Sequence, residues 1–417
     1  MKKSLAVLVV LSILFTCLAG MAQAAPVTLQ IANYAVLEAG YEPFWTSIKD
    51  GFEAANPDIK IEWVTAPYGE IVNQVINMAG GGTKVDMLFG EIGWVSGMED
   101  AGLAYPIGDI LSAGYIADFY SSILESFMID GKAYALPLYV SPYVLYYNKD
   151  IFAKAGLDPE APPATYDEML AAAEKIAPLT TADGNKIYAF GQTTASVPVS
   201  GSSLTAMIMN FGGHVVSDDG ALALDEGFTQ AIEMLKLLND KGYNPQNAKL
   251  KDLRNLFALG QLAMYYDQSW GFNGIKSINP DAASFTASAK PLKGGSGSGQ
   301  SLLQSHCMIF TNNDPAKKDA TEKFMQYLVS TDNLGDYLAT ITPAYPACKS
   351  MESVTLNPVL AGAAGSGENV MAMPLLPRLS DLNLELCTLA QAVTVSGTDV
   401  PSAIAEFQAA AESILAE

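Results

Sequence analysis

Acidic and aromatic side chains occur together in three loops near the N-terminus of the sequence. The loop after the first predicted strand contains Glu38 and Tyr41, the loop after the second contains Tyr68, and the loop after the third contains Glu91 and Trp94. A carboxylate accepts two hydroxyl hydrogens at once, and a flat aromatic ring covers the apolar C–H face of a sugar ring. These loops therefore predict a binding site for a sugar or a similar small polyhydroxylated molecule.

Further candidate ligand contacts come later in the chain. Tyr139 and Tyr143 lie on either side of a short connecting segment, and Asp267 and Trp270 follow a later predicted strand. Arg378 lies in a segment with two prolines and is a candidate contact for an acidic ligand. For Arg378 a surface role is the favoured alternative.

Several of these candidates also have a purely structural interpretation. Glu91 and Asp267 fit helix caps or surface acids as well as ligand contacts, whereas Trp94 and Trp270 lie in polar loops and are favoured as platforms for a ring. His306 follows a glycine-rich segment at 294–299 that we interpret as a flexible loop near a crossing between lobes. We expect His306 to be a hydrogen-bonded core residue.

Motifs for metal binding, cofactor binding and catalysis are absent from the sequence. It has two histidines, His214 and His306, and no His-Glu-x-x-His or Cys-x-x-Cys arrangement, which disfavours a metal site. The glycines at residues 80–82 lack the spacing of a phosphate-binding loop, so we expect no cofactor. A secreted carbohydrate-cleaving enzyme that uses paired carboxylates such as Glu91 and Asp267 is the alternative from another class of protein.

The first 24 residues have the pattern of a secretory signal peptide. Lys2 and Lys3 precede an apolar run over residues 5–18, which is short for a bilayer span, and small residues at 22–24 precede the expected cleavage site. We therefore expect export to the periplasm. The chain has 44 acidic and 23 basic residues, a formal net charge of −21, which disfavours nucleic acid as a partner.

Three cysteines follow this leader: Cys307, Cys348 and Cys387. An oxidising compartment allows one disulfide with one thiol left over, and Cys348 with Cys387 is the favoured pair. Three buried unpaired thiols are the alternative, because no spacing in the sequence constrains the geometry.

The segments around these residues alternate between strand and helix patterns. From Val27 the order is strand, helix, strand, helix, strand, and Thr165 with Glu168 forms a capping box in a second series. Ligands of open α/β sheets bind outside the carboxyl ends of the strands, which is where the three N-terminal loops fall. The roughly 390 residues after the leader are enough for two lobes with separate cores.

Four segments carry a resemblance to a known family, at residues 51–61, 85–107, 131–158 and 260–270. The third is the most specific and contains GKAYALP at 131–137 and LYYNKDIF at 145–152. In this order the segments resemble the extracellular solute-binding proteins of carbohydrate ABC importers, a family that includes the maltose-binding proteins. Glu91 stands where this family commonly has an aspartate.

The resemblance implies an α/β clamshell of the second periplasmic-binding-protein type, in which each lobe is a mainly parallel sheet flanked by helices. The expected N-terminal lobe comprises residues 25–137 plus about 290–342, and the C-terminal lobe about 138–289 plus 343–417. It further implies a monomer without catalytic activity that passes its ligand to ABC permease subunits in the inner membrane. A sensory protein that presents its ligand to a membrane receptor is an alternative with the same fold.

Overall fold

The computed structural model describes residues 26–38, 40–217, 220–364, 369–376 and 378–416. The predicted signal peptide lies outside the described residues. Within those ranges the chain forms the predicted α/β architecture, with two lobes that each surround one main sheet. In this part of the chain no helix combines the length and the apolar character that crossing a membrane requires.

The strands of the described ranges form two main sheets and two small ones. In chain order they are β1 Val27–Ala32, β2 Ile59–Val64, β3 Met87–Glu91, β4 Met128–Ile129, β5 Lys132–Ala133, β6 Ala135–Val140, β7 Tyr143–Asn148, β8 Tyr188–Gly191, β9 Leu262–Gln268, β10 Thr286–Ala289, β11 Ser301–Leu302, β12 Ser305–Phe310, β13 Tyr345–Pro346 and β14 Val370–Met371.

The α-helices flank these sheets and bury their apolar faces against them. In chain order they are α1 Glu42–Ala55, α2 Ile71–Gly80, α3 Val95–Asp100, α4 Ala113–Ile116, α5 Ser121–Leu124, α6 Lys149–Lys154, α7 Tyr166–Ile176, α8 Pro198–Asn210, α9 Glu226–Asp240, α10 Leu250–Ala258, α11 Gly271–Ile278, α12 Lys318–Leu328, α13 Asp336–Thr340, α14 Leu379–Gln391 and α15 Val400–Leu415.

Both main sheets are mixed, whereas the resemblance implies mainly parallel ones. The first has the order β13-β6-β12-β3-β1-β2, in which β1 is parallel to β2 and β3 but β12 is antiparallel to its neighbours. The second has the order β10-β7-β9-β8, and only β8 and β9 are parallel. The antiparallel strands arise because the chain crosses between the lobes and returns in the opposite direction.

Local sequence signals account for the helix starts. Pro43 occupies the first turn of α1, where its missing N–H costs nothing. At α7 the predicted capping box forms in part: the Glu168 N–H donates to Thr165 Oγ1 at 3.2 Å, and the Glu168 carboxylate accepts the N–H of Ala164 at 2.7 Å. The structure therefore confirms the order of elements that the pattern predicts.

The first crossing between the lobes, from β6 to β7, lies at a buried chain of hydrogen bonds that we name the hinge chain. The Trp270 N–H donates to Ser141 Oγ at 3.2 Å, the two hydroxyls of Ser141 and Ser269 lie 2.8 Å apart, and Ser269 Oγ donates to the Pro343 carbonyl at 2.7 Å. Because Ser269 has one hydroxyl hydrogen, Ser141 must be the donor of the pair. The hinge chain therefore runs in one direction.

The positions of the crossings follow from the strands and the cores. Strand β6 of the first sheet extends to Val140, Leu292 and Leu302 pack in the second core, and Cys348 and Met351 pack in the first. These residues bracket the stretches in which the chain passes between the two cores. The exact limits of the two lobes stay a prediction.

The glycine-rich segment lies against the C-terminal end of α8. The Gly294 N–H donates to the Asn210 carbonyl at 3.1 Å, and a Cβ added to Gly297 would lie 2.2 Å from the same oxygen. Only glycine permits this approach of the two backbones. The segment then leads into β11 and the crossing that follows it.

The favoured disulfide between Cys348 and Cys387 is wrong. Both thiols are free and buried, as is Cys307, and the alternative of three unpaired thiols describes these residues. Cys348 belongs to the core of the first lobe, whereas Cys387 lies on α14 in the second lobe and its thiol bonds to the Asn383 carbonyl at 3.1 Å. A disulfide requires both Cβ atoms within about 4.5 Å of each other, and different lobes hold these two apart.

We expect these three thiols to resist alkylation in the folded protein. Burial raises the pKa of all three, so the reactive thiolate is scarce as well as inaccessible. Labelling by N-ethylmaleimide, followed by peptide mass spectrometry, should be at least about 100-fold slower in buffer than in denaturant. A non-reducing digest that contains linked Cys348 and Cys387 peptides would contradict this expectation.

Candidate functional site

A cavity of about 500 Å³ lies between the two lobes. Aromatic and acidic side chains form the wall of the first lobe, and basic, apolar and amide side chains form the wall of the second. The first wall contains Tyr34, Glu38, Tyr41, Tyr68, Phe89, Glu91, His306 and Tyr337, and the second contains Val197, Val199, Lys249, Leu250, Lys251, Arg254, Gln268 and Trp270. This size, with a few converging polar groups, is typical of a small-molecule site.

The structure brings six of the ten predicted contacts to this region. The large cavity is lined by Glu38, Tyr41, Tyr68, Glu91 and Trp270, and Trp94 lines a smaller adjoining cavity of about 130 Å³. The first-lobe members come together because the loops after parallel strands β1, β2 and β3 leave the sheet at the same edge. Their contact with a ligand stays a prediction.

Glu91 ends β3 and is held by two neighbours. The Tyr68 hydroxyl donates to Glu91 Oε2 at 3.1 Å, and His306 Nε2 lies 3.5 Å from Glu91 Oε1. The Trp94 ring packs directly over Gly90, where an added Cβ would lie 2.9 Å from the indole. The carboxylate therefore has a defined orientation and keeps acceptor capacity for a ligand hydroxyl.

Glu38 follows the short 3-10 helix Ala35–Leu37 and faces the same cavity. Burial raises the pKa of its carboxyl, and the negative charge of Glu91 acts in the same direction. The charges of His306 and Arg254 oppose this shift. Ionised Glu38 therefore lowers the free energy of unfolding. Such perturbed groups are common in binding sites.

Glu38→Gln is expected to stabilise the unliganded protein at neutral pH. Because the folded-state pKa is raised, the folded chain binds more protons than the unfolded chain between the two pKa values, and stability falls as the pH rises through that window. Glutamine removes this penalty, so Tm should increase on the order of 1–2 °C at pH 7.5 for a partly solvated group.

The gain should shrink towards pH 4, where the glutamate of the parent protein is itself protonated. Glu233→Gln, at an exposed position on α9, is the matched control and should leave Tm unchanged at both pH values. Thermal melts that show no gain for Glu38→Gln at pH 7.5, or the same gain at pH 4, would refute the expectation.

His306 connects the two walls. Its Nε2 lies 2.9 Å from the Tyr34 hydroxyl and its Nδ1 lies 2.5 Å from the Tyr139 hydroxyl, so both ring nitrogens are hydrogen-bonded as expected for a core histidine. The imidazole also stacks on Trp270 with a centroid distance of 4.3 Å and an angle of 5° between the planes. His306 lines the cavity, whereas Tyr139 lies behind it and does not.

Tyr143 is likewise buried behind the wall rather than in it. Gln268 Nε2 donates to the Tyr143 hydroxyl at 3.2 Å, which orients the amide. Gln268 is 6% exposed, lines both cavities, and its Oε1 has no hydrogen-bond partner among the described residues. A buried acceptor without a partner is costly, so this oxygen is poised to accept a hydrogen from a ligand.

Asp267 does not line the cavity, contrary to the prediction of a ligand contact. Its side chain is fully buried and accepts from Arg254 Nε at 2.7 Å, from Arg254 Nη2 at 2.8 Å and from the Tyr265 hydroxyl at 3.1 Å. Burial lowers the pKa of Arg254, but the charge of Asp267 outweighs this effect and raises it. Asp267 therefore positions Arg254, which itself faces the cavity.

Arg378 is not among the residues that line either cavity. It precedes α14 and its Nε donates to Asp381 Oδ2 at 2.8 Å, within the first turn of that helix. This local pairing corresponds to the alternative surface role. The rule that sites follow strands does not indicate the basic residues of the second wall, because Lys249 caps the helix α10 and Lys251 and Arg254 lie within it.

The groups in the cavity suit hydrogen bonding, ring stacking and charge interactions. Carboxylates, an unpaired amide oxygen and aromatic faces meet three basic side chains across the cleft. In the ranges that the structure describes, no three or more His, Cys, Asp or Glu side chains are grouped so that they could hold a metal ion.

Comparison with known proteins identifies a matching family and relatives that align with most of the chain. Residues 47–361 match the family described as bacterial extracellular solute-binding protein. A putative binding protein of Brucella abortus is 26% identical over 387 residues, which cover 84% of this chain and 91% of that protein. The maltotriose-binding protein of Pyrococcus abyssi is 22% identical over 341 residues, which cover 80% of this chain and 70% of that protein.

A solved structure shares the fold. The cyclic alpha-maltosyl-1,6-maltose binding protein from Arthrobacter globiformis superposes with a TM-score of 0.79 at 21% identity, over 94% of this chain and 99% of that chain. The two-lobe architecture described above is therefore that of a known group of structures.

Proposed function

Because the chain belongs to the family of bacterial extracellular solute-binding proteins, we propose that it binds a sugar or similar polyhydroxylated solute between its lobes and delivers it to an ABC importer. We further propose that it acts as a monomer in the periplasm, after removal of residues 1–24. The small-molecule solute and the permease subunits of the inner membrane are then its partners.

The cavity between the lobes is the observation that carries the proposal. It joins two carboxylates, Glu38 and Glu91, with the indole of Trp270 and the unpaired Oε1 of Gln268. Acceptors of this kind bind hydroxyl hydrogens, and the ring offers a flat apolar face to the C–H groups of a sugar. The names of the maltotriose-binding and maltosyl-maltose-binding relatives support a carbohydrate solute for this chain as well.

Closure of the lobes links binding to delivery. A solute that touches Glu91 on the first wall and Arg254 on the second gains both sets of contacts only when the lobes are together. It therefore shifts the population towards the closed form, and the permease distinguishes that form from the open one. The crossing at Ser141, which the hinge chain connects to Ser269 and Pro343, provides the hinge for this motion.

Binding without cleavage is the proposed activity. Members of the family are binding proteins. A glycosidase mechanism that pairs Glu91 with Asp267 is disfavoured because Asp267 is fully buried and its oxygens are occupied by Arg254 and Tyr265. A carboxylate in this position cannot reach a glycosidic oxygen in the cavity.

Mass spectrometry of the solute that co-purifies with the native protein is the direct test. We then expect the identified solute to stabilise the purified protein in thermal melts, by about 2.7 kcal/mol when its concentration is 100 times Kd. Maltose, maltotriose, mannitol and sn-glycerol 3-phosphate form a first panel. The proposal fails if no member of a broad panel of sugars, polyols and their phosphates stabilises the protein, or if a bound glycan is converted to product.

A further inference from the structure

Basic side chains are concentrated in the cleft of an acidic protein. Lysine and arginine account for 23 of 417 residues, yet Lys249, Lys251 and Arg254 are three of the 17 residues that line the large cavity. They lie within six residues of one another, at the start of α10, where the helix dipole adds partial positive charge. The second wall thus carries a local positive field that contrasts with the net charge of the chain.

These basic side chains are not paired with the carboxylates that line the cavity. Lys249 and Lys251 are exposed and make no ion pair within the described residues, while the Glu91 carboxylate accepts from the Tyr68 hydroxyl and lies 3.5 Å from His306 Nε2. Arg254 donates two of its five N–H groups to Asp267, and the other three can bind another acceptor. Two lysine ammonium groups and one guanidinium edge are therefore available at one side of the cavity.

A second, independent observation places a ligand beside these cations. Gln268 is 6% exposed, lines the cavity together with Arg254, and has no partner for its Oε1 among the described residues. This acceptor requires a donor such as a hydroxyl, whereas the lysines and the arginine require an acceptor with negative charge. One solute that carries both kinds of group satisfies the whole wall.

We infer that the solute is anionic as well as hydroxylated, and that Lys249, Lys251 and Arg254 hold its phosphate or carboxylate group. The hydroxyls then lie towards Glu38, Glu91 and Gln268, and the negative end lies at the start of α10. This inference rests on the proposed function and narrows it to polyol phosphates, sugar phosphates and sugar acids. Two charge-bearing walls of opposite sign also fix the orientation of such a solute in the cleft.

Matched pairs of solutes test the inference by isothermal titration calorimetry with the full protein. The pairs are glycerol with sn-glycerol 3-phosphate, glucose with glucose 6-phosphate, and glucose with glucuronate, so the arms separate phosphate from carboxylate. We expect the charged member of at least one pair to bind about 10-fold to 100-fold more tightly than its neutral partner. This preference should weaken as salt is raised from 50 to 500 mM.

The double variant Lys249→Met and Lys251→Met keeps the apolar stems of both exposed side chains and removes their charge. The ratio of its affinities for the charged and the neutral member of a pair should fall by most of the parent preference. The double variant Lys175→Met and Lys241→Met, at exposed positions of the same lobe outside the cavity, is the control and should keep the preference.

Equal affinity for both members of every pair, with neutral sugars bound tightly, overturns the inference but leaves the proposed function intact. An unchanged preference in the Lys249 and Lys251 double variant, or an equal loss in the control, also overturns it. Absence of binding by every member of every pair overturns the inference, whereas the proposed function fails only if the broad panel of sugars, polyols and their phosphates also gives no binding.

Discussion

Asp267→Ala is expected to lower the free energy of unfolding by about 3–5 kcal/mol, the size typical of breaking a buried ion pair. Asp267 is fully buried and bonds both nitrogens of one edge of Arg254 and the Tyr265 hydroxyl. Without it, the guanidinium loses its counter-charge in a largely desolvated position, and the phenol loses its acceptor. Urea denaturation followed by circular dichroism measures this loss.

The second effect of Asp267→Ala concerns the cavity. Arg254 loses the contact that aims its free N–H groups into the cleft, so affinity for the solute should fall together with stability. Asp240→Ala, which breaks the exposed pair with Lys236 on α9, is the matched control and should cost less than about 1 kcal/mol. A loss below 1 kcal/mol for Asp267→Ala would show that the buried pair does not stabilise the fold.

Trp270→Ala is expected to weaken solute binding by about 30-fold or more, the size typical of a central aromatic contact. The indole lines the cavity, is 9% exposed and stacks on His306 with nearly parallel planes. Its removal takes away both the platform for the solute and the support of the imidazole that neighbours Glu91. Calorimetric titration with the solute identified by mass spectrometry measures the change, and circular dichroism verifies the fold.

Two further variants test whether an aromatic ring at residue 270, and not an indole elsewhere, is what the solute requires. Trp270→Phe keeps an aromatic face and should bind more tightly than Trp270→Ala, and it should lose most of the ligand-induced fluorescence change. Trp63→Phe alters an indole that packs on Trp45 outside the cavity and should retain parent affinity. If Trp270→Ala, correctly folded, binds the solute with parent affinity, the ring is not a ligand platform.

The architecture was predictable because local patterns determine it. Alternating strand and helix segments from Val27 onwards, with Pro43 and Thr165 at helix starts, are signals of short range that need no knowledge of distant residues. The mixed character of the sheets was not predictable from such signals. It depends on which strand pairs with β6 and β7 after the chain has crossed between lobes, and this is decided by packing.

The candidate site was likewise predictable only in part. The rule that loops after parallel strands converge placed Glu38, Tyr68 and Glu91 correctly at one cavity. Asp267 was misassigned because an acid at the end of a strand has the same sequence signature whether it faces a cleft or pairs with an arginine 13 residues earlier. Lys249 and Lys251 were not predicted, because two charges at the N-terminus of a helix usually belong to a solvated face.

The hinge chain has a consequence for how such a protein diversifies. It uses the backbone N–H of residue 270 and two serine hydroxyls, and the side chains that face the solute take no part in it. If the proposed function holds, we expect mutations of Glu38, Glu91, Lys249 or the indole of Trp270 to change the solute preference while the hinge chain stays intact. Such a separation of binding residues from hinge residues would suit this scaffold to engineered sensors for new solutes.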